Sequence, residues 1–302
     1  IQYTMQIVMS FLMISMVSIM LPRAMVSANR IQDVLNTELL VADPERPQQF
    51  MTSRKGYVEY KNVSFKYPGS DDYILKDISF TAKPGKVTAI IGSTGSGKST
   101  LINLIPRLFD VSNGEVLVDG VNIKNVDQHE LREKIGFVPQ KGILFSGTIE
   151  SNIRYGKRNA TMDEIKEAVR IAQAEEFVQS KPEKYDTEIS QGGTNVSGGQ
   201  KQRLAIARAL VKKPEILVFD DSFSALDYKT DVALRKSLRH ERSDSTRIVV
   251  AQRISTVLDA YEIIVLDKGR IVGKGTHEEL IKNCEAYKQI ALSQLSKSEL
   301  GL

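Results

Sequence analysis

From Ile1 to Pro22 the chain is an apolar run with no charged side chain. As a helix rising about 1.5 Å per residue it would reach roughly 33 Å, enough for the hydrocarbon core of a bilayer. Gln2, Gln6, Ser10, Ser15 and Ser18 interrupt the run, but such groups are tolerated where a membrane helix faces other helices. A buried core helix is the alternative. A secretory signal would begin with basic residues, whereas here Arg23 and Arg30 follow the run. By the positive-inside tendency, what comes next is expected on the cytoplasmic side. The start at Ile1 suggests a piece of a larger, multi-pass cell-membrane protein.

The rhythm then changes. Ile31, Val34, Leu35 and Leu39 fall at helical spacing, which predicts an amphipathic continuation leaving the bilayer. Pro44 and Pro47, set among acids and glutamines, break that pattern and mark a linker. The expected organisation is a membrane segment over 1–38, a linker over 39–55 and one cytoplasmic domain over 56–302.

In that domain Val58, Tyr60, Val63, Phe65 and Tyr67 alternate with polar residues up to Pro68-Gly69, predicting half-buried strands that end in a turn. Three other runs, Val87 to Ile91, Ile216 to Phe219 and Ile248 to Ala251, are short, unbroken and rich in branched residues. They suit strands buried on both faces, hence a parallel sheet with helices on both sides. Thr161 to Val178 opens with a Thr161/Glu164 capping box and carries Ile165, Ala168, Val169 and Ala172 at helical spacing. A single helix is expected there, within a mostly helical insertion between Thr148 and Leu210. The fold class is therefore α/β.

Charge and composition add little. With 41 Lys and Arg against 37 Asp and Glu over 302 residues, the net charge of +4 is small and evenly mixed, so no nucleic-acid partner is expected. The lone Cys284 cannot form an intrachain disulfide, and it falls in a helical pattern from Glu278 to Leu295. His129, His240 and His277 meet no metal-ligand spacing.

The chemistry is concentrated in short motifs. Gly92, Ser93, Thr94, Gly95, Ser96, Gly97, Lys98 and Ser99 fit GxxxxGK[ST], preceded by the buried run from Val87 and followed by an expected helix from Thr100 to Phe109. The glycines let backbone N–H groups converge on phosphate oxygens at a helix N-terminus. Lys98 supplies a point charge for the outer phosphates, and the Ser99 hydroxyl is a ligand for Mg²⁺. Ile216 to Asp220 is an apolar strand ending in a carboxylate, which would hold the same Mg²⁺. Ser197, Gly198, Gly199 and Gln200 begin another helical stretch with a capping-box pattern and a bare start, where N–H groups and the Ser197 hydroxyl can grip an anion.

The phosphate loop, the segment Asn195 to Arg203 and the strand ending at Asp220, in this order and spacing, resemble the ATP-binding cassette (ABC) family and specifically its exporters. The resemblance implies a nucleotide-binding α/β core with an antiparallel β subdomain and a helical subdomain. It further implies that two such domains sandwich two ATP molecules with Mg²⁺, each ATP lying between one chain's phosphate loop and the other's signature, here Ser197 to Gln200. By the same resemblance Tyr67 stacks on adenine, Gln140 touches Mg²⁺ and senses the membrane domain, and Asp227 communicates across the dimer. Thr187 to Ile189 resembles an exporter coupling loop, with Gln191-Gly192 in place of its usual Glu-Arg. The N-terminal run resembles an exporter's last membrane helix.

Two positions depart from the family pattern. Asp221 stands where the catalytic glutamate is expected, shorter by about 1.5 Å of reach. Gln252 stands where the switch histidine is expected, and a glutamine cannot titrate. Both departures fall on one ATP site while Ser197 to Gln200 is intact. That asymmetry resembles heterodimeric exporters, with a second, different subunit as partner and slow hydrolysis at this chain's own site. A homodimeric exporter with slow turnover, a non-transport ATP switch of the same superfamily and a non-hydrolysing ATP-binding module are the alternatives. Nothing in the motifs names a transported substrate.

Overall fold

The computed structural model describes residues 1–37, 39–296 and 300. The chain divides after Ala42 into two units. Glu38, where the sequence sets the end of the membrane segment, lies outside the described residues.

The first unit is a helix, α1 (Gln2–Leu35), 34 residues long with Pro22 inside it. Its most apolar stretch has a mean hydropathy of 2.0, so it is long and apolar enough to cross a membrane. Its side chains are all exposed. Leu39 falls beyond the helix end rather than continuing its apolar face.

The second unit contains strands β1 (Val58–Phe65), β2 (Leu75–Ala82), β3 (Val87–Gly92), β4 (Asn113–Val118), β5 (Val121–Asn122), β6 (Ile135–Val138), β7 (Gly147–Thr148), β8 (Glu188–Ile189), β9 (Ile216–Asp220), β10 (Thr246–Val250), β11 (Glu262–Asp267) and β12 (Arg270–Gly275). Its helices are α2 (Lys98–Asn103), α3 (Gln128–Lys134), α4 (Ile149–Arg154), α5 (Met162–Ile171), α6 (Glu175–Gln179), α7 (Gly198–Leu210), α8 (Tyr228–Glu241), α9 (His277–Asn283) and α10 (Glu285–Leu292). The main sheet runs β12-β11-β3-β10-β9-β6, parallel except for the β11/β12 edge pair. The three unbroken apolar runs are its central strands β3, β9 and β10. A separate antiparallel sheet runs β2-β1-β4-β5, and β7 pairs with β8.

The main sheet is covered on both faces, as continuous apolar strands require. On one face Ile90, Val218 and Ile248 share a core with Leu101 and Ile102 of α2, Leu131 of α3 and the inner side chains of the antiparallel sheet. On the other, Ile91, Phe219 and Val249 pack with Leu204 of α7, Leu234 of α8 and Tyr287 of α10.

Three expected helices are shorter than the pattern suggested. The helix after the phosphate loop stops at Asn103, because Pro106 lacks an amide hydrogen and Arg107 takes a left-handed φ of 52°. The helix from Thr161 is capped as expected, but it breaks at Gln173 (φ 57°) before α6. There the Gln173 side-chain amide bonds the Arg170 carbonyl (3.3 Å) and Ser237 (2.9 Å), and its own carbonyl accepts from Arg203 (2.7 Å). Cys284 lies not inside a helix but at an extended break between α9 and α10, buried with its thiol directed to the Val272 carbonyl.

Within the helical insertion, Asn152 joins α4 to α7 and to the segment just before α4. This side chain, 1% exposed, accepts from the Phe145 amide (2.9 Å) and Arg208 (2.8 Å) and donates to the Phe145 and Thr148 carbonyls. Asn152→Ala leaves those buried partners unmatched, so urea unfolding should show a loss of about 2–4 kcal/mol.

Candidate functional site

Parallel strands send their C-terminal ends to one edge, and register decides which residues meet there. Val250 of β10 is level with Ile90 of β3 and Asp220 of β9, and Phe219 is level with Val138 of β6. The next residues of each strand therefore emerge together: the phosphate loop after β3, Gln140 after β6, Asp221 after β9 and Gln252 after β10. They line a cleft of about 370 Å³ with Tyr67, Thr94, Gly95, Gly97, Lys98, Ser99, Thr100 and Asp220, a volume suited to a small-molecule ligand. A roomier polar hollow of about 460 Å³ lies beside Lys55, Glu215 and Asp244. Its charges are largely matched, as in Lys55–Glu215 at 3.3 Å, and it lacks the cleft's convergence of unlike groups.

Glycine is required in the loop for steric reasons. A Cβ on Gly92 would stand 2.1 Å from the Leu266 carbonyl oxygen, and Gly97 turns into α2 at φ 100° with Leu75 and Ile74 pressed against it. Lys98 is folded back into the loop, donating to the carbonyls of Gly92 (2.8 Å) and Ser93 (2.7 Å), with Ser96 Oγ at 3.5 Å. Burial pushes its ammonium below the ordinary lysine value, partly opposed by Asp221 and Asp220.

Across the cleft, Ser99 Oγ donates to Asp220 Oδ1 at 3.0 Å. Burial pushes the Asp220 carboxyl above its ordinary value, opposed by the Ser99 hydrogen bond. A hydroxyl and a carboxylate so placed, with the Gln140 amide nearby, form an oxygen donor set of the kind that holds Mg²⁺ alongside phosphates. Asp221 is 6% exposed and adopts φ 46°, a left-handed conformation uncommon outside glycine. Its amide donates to the Val250 carbonyl (3.0 Å) and its carbonyl accepts from Ser224 Oγ (2.7 Å). Its Oδ2 accepts from two neutral amides, Gln252 Nε2 at 2.8 Å and Gln140 Nε2 at 3.3 Å. Burial raises this carboxyl too, with hydrogen bonds from Ser224, Gln140 and Gln252 working against it.

At the opposite wall Tyr67 bonds Thr100 Oγ1 through its hydroxyl (3.0 Å). Phe65 and Phe109 meet its ring edge-on, at 5.0 and 5.2 Å between centroids.

Ser197, Gly198, Gly199 and Gln200 do not line this cleft. They open α7 with a reciprocal capping box, Ser197 N to Gln200 Oε1 at 2.9 Å and Gln200 N to Ser197 Oγ at 3.3 Å. Ser197 and Gly198 are exposed, and Gly199 and Gln200 are half-buried. Asp227, exposed as well, caps α8 by accepting from the Thr230 amide (2.9 Å), which holds its carboxyl below the ordinary value.

Ile74 and Val250 also line the cleft, and Gln294 supports it from behind. The Gln294 side chain donates to the Gln252 carbonyl (2.7 Å) and accepts from the Ile254 amide (2.8 Å). Val250 ends strand β10 at the sheet edge, so strand direction could have found it. Ile74 and Gln294 are brought in only by tertiary contacts and carry no local signal.

Residues 75–224 match the family described as "ABC transporter". The chain is 48% identical over 302 residues to an uncharacterized ABC transporter ATP-binding protein of Mycobacterium bovis, a match covering 99% of the chain and 52% of the relative. It is 44% identical over 237 residues to a putative multidrug export ATP-binding/permease protein of Staphylococcus aureus, covering 78% of the chain and 41% of the relative. Among solved structures, a bacterial Atm1-family ABC exporter with ATP bound is similar at a TM-score of 0.87 and 37% identity, covering 94% of the chain and 50% of that protein. The chain thus spans about half the length of the curated relatives it matches.

Proposed function

This chain carries the nucleotide-binding domain of an ABC transporter, and from that premise we propose that it binds MgATP in the cleft, hydrolyses it slowly, and powers export as one subunit of a membrane transporter. The observation that carries the reading is a contrast within one cleft. Lys98 is folded into the phosphate loop and Ser99 bonds Asp220, the groups expected to grip phosphate and cation, while the acid in the catalytic position, Asp221, is short and has one oxygen taken up by two amides.

In this scheme the loop amides and Lys98 orient the phosphates, and Ser99, Asp220 and Gln140 hold Mg²⁺, which when bound neutralises charge on the outer phosphates. Tyr67 provides the ring for adenine, with Phe65 and Phe109 fixing its tilt. Asp221 is the base, out of comfortable reach of the attacking water. A misplacement of about 1 Å costs on the order of 100-fold in rate. Gln252 contacts the outer phosphate without titrating. Ser197 and Gly198 are exposed, Gly199 and Gln200 half-buried, and all four lie outside the cleft, in keeping with service to an ATP held by another chain, with exposed Asp227 as the expected link to that chain. The apolar helix α1 and the exporter among the similar structures favour a membrane transporter over a soluble ATP switch. The intact signature beside a weakened site favours a heterodimer. Replacing Ser197 should then lower ATP turnover at the partner's site, and unchanged turnover in the assembled mutant would contradict the shared-site scheme.

The buried carboxyl of Asp220 gives a second test. Its value is raised on folding, so the folded domain holds that proton more tightly than the unfolded chain does. The ionised form thus costs stability above the ordinary carboxylate range, a cost relieved as pH falls. Asp220→Asn keeps the oxygen that accepts from Ser99 but removes the charge. Without nucleotide its Tm at pH 7 should rise by about 2–4 °C, while the stabilisation by MgATP should shrink. Thermal melts with and without MgATP check both signs.

A further inference from the structure

Between α8 and the main sheet, away from the cleft, lies a small cavity of about 50 Å³ bordered by Phe219, Phe223, Leu238 and three arginines, Arg235, Arg239 and Arg247. Arg247 sits on β10 level with Val87 and Leu217 and is 7% exposed. One guanidinium nitrogen donates to the Gly85 carbonyl (3.0 Å), but its Nε is buried with no hydrogen-bond partner. Among the described residues no carboxylate pairs with Arg247, whereas Arg235 is matched by Asp231 (3.0 Å) and Arg239 by Asp259 (3.1 Å). Asp259 also borders the cavity, but its charge is engaged by Arg239. The balance at this spot is one uncompensated positive charge in an apolar wall. Burial and the neighbouring Arg239 disfavour the charged form, yet a guanidinium does not give up its proton in a protein. A buried charge without a partner is costly and calls for a counter-ion.

We propose that this cavity is a binding site for a small monovalent anion, of the size of chloride or a short carboxylate, held by Arg247 Nε and pinning α8 to β10. The room exceeds that of a single water and excludes a nucleotide or polyphosphate. The apolar border of Phe219, Phe223 and Leu238 disfavours a strongly hydrated divalent anion.

The test compares thermal melts of the full chain in sodium chloride with melts in sodium gluconate, whose anion is too large, at equal ionic strength and without nucleotide. Raising chloride from about 1 to 100 mM should lift Tm by about 3–6 °C over the gluconate control, and Arg247→Met should abolish the difference. Equal melting in the two salts for the unmodified protein, or an equal chloride effect in Arg247→Met, would overturn the proposal. A second measurement does not depend on that variant folding. In crystals of the unmodified chain grown with sodium bromide, an anomalous peak beside Arg247 Nε supports the site. Water density there without anomalous signal rejects it.

Discussion

Asp221→Glu combined with Gln252→His raises ATP turnover at this chain's cleft by about 10- to 100-fold in the assembled transporter. The longer acid restores roughly one methylene of reach, and imidazole replaces an amide that now occupies Asp221 Oδ2 at 2.8 Å. Neither change alone should recover the whole effect. Glutamate without histidine still faces the Gln252 and Gln140 amides, and histidine without glutamate leaves the base short. The backbone sets a small opposing cost. Asp221 adopts φ 46°, a region that aspartate tolerates better than longer side chains, so the double variant should lose no more than about 1 kcal/mol of stability. Single-turnover hydrolysis of radiolabelled ATP by the single and double variants checks the prediction. An unchanged rate, with an intact signature on the facing subunit, would mean that these two residues do not limit the chemistry.

Lys98→Ala should weaken MgATP binding by about 100-fold. The ammonium is held by the Gly92 and Ser93 carbonyls and is already partly desolvated, so little further burial cost falls on binding. Two charge-assisted hydrogen bonds to phosphate are worth about 1.5–3 kcal/mol each before the loop contacts given up are counted. A net loss near 3 kcal/mol corresponds to the expected factor. Stability without nucleotide should barely change, because burial disfavours the charged lysine and the loop carbonyls can turn to water. Titration calorimetry with MgATP separates the outcomes. An affinity within threefold of the unmodified chain would show that the grip lies elsewhere.

How much of this was legible in the sequence depends on the distance over which each feature is built. The phosphate loop is contiguous, and its Gly, Lys and Ser spacing carries its own steric reason, seen at Gly92 and Gly97. The central strands were legible because burial on both faces leaves unbroken apolar runs. Helix lengths were less so. The breaks at Gln173 and Cys284 arise from tertiary hydrogen bonds and packing that override helical periodicity, and the end of α2 combines Pro106 with the left-handed turn at Arg107. Asp221, Gln140 and Gln252 were legible only through the family resemblance, since no local pattern says that three strand ends will meet. Gln294 was invisible for the same reason, being 42 positions from Gln252 along the chain. Arg247 carries no signal of its own, since a charged residue just before the apolar run from Ile248 looks like a strand end rather than a buried wall.

The central claim is that the cleft keeps its hold on MgATP while its own chemistry is slow. It is tested most directly by measuring, on the purified chain in detergent without a partner, both the ATP bound at equilibrium and its rate of hydrolysis. Saturable binding near one ATP per chain, with turnover well under about 1 s⁻¹ against the roughly 10 s⁻¹ of a typical enzyme, is the expected result. Turnover of tens per second, abolished by Asp221→Asn, would contradict it.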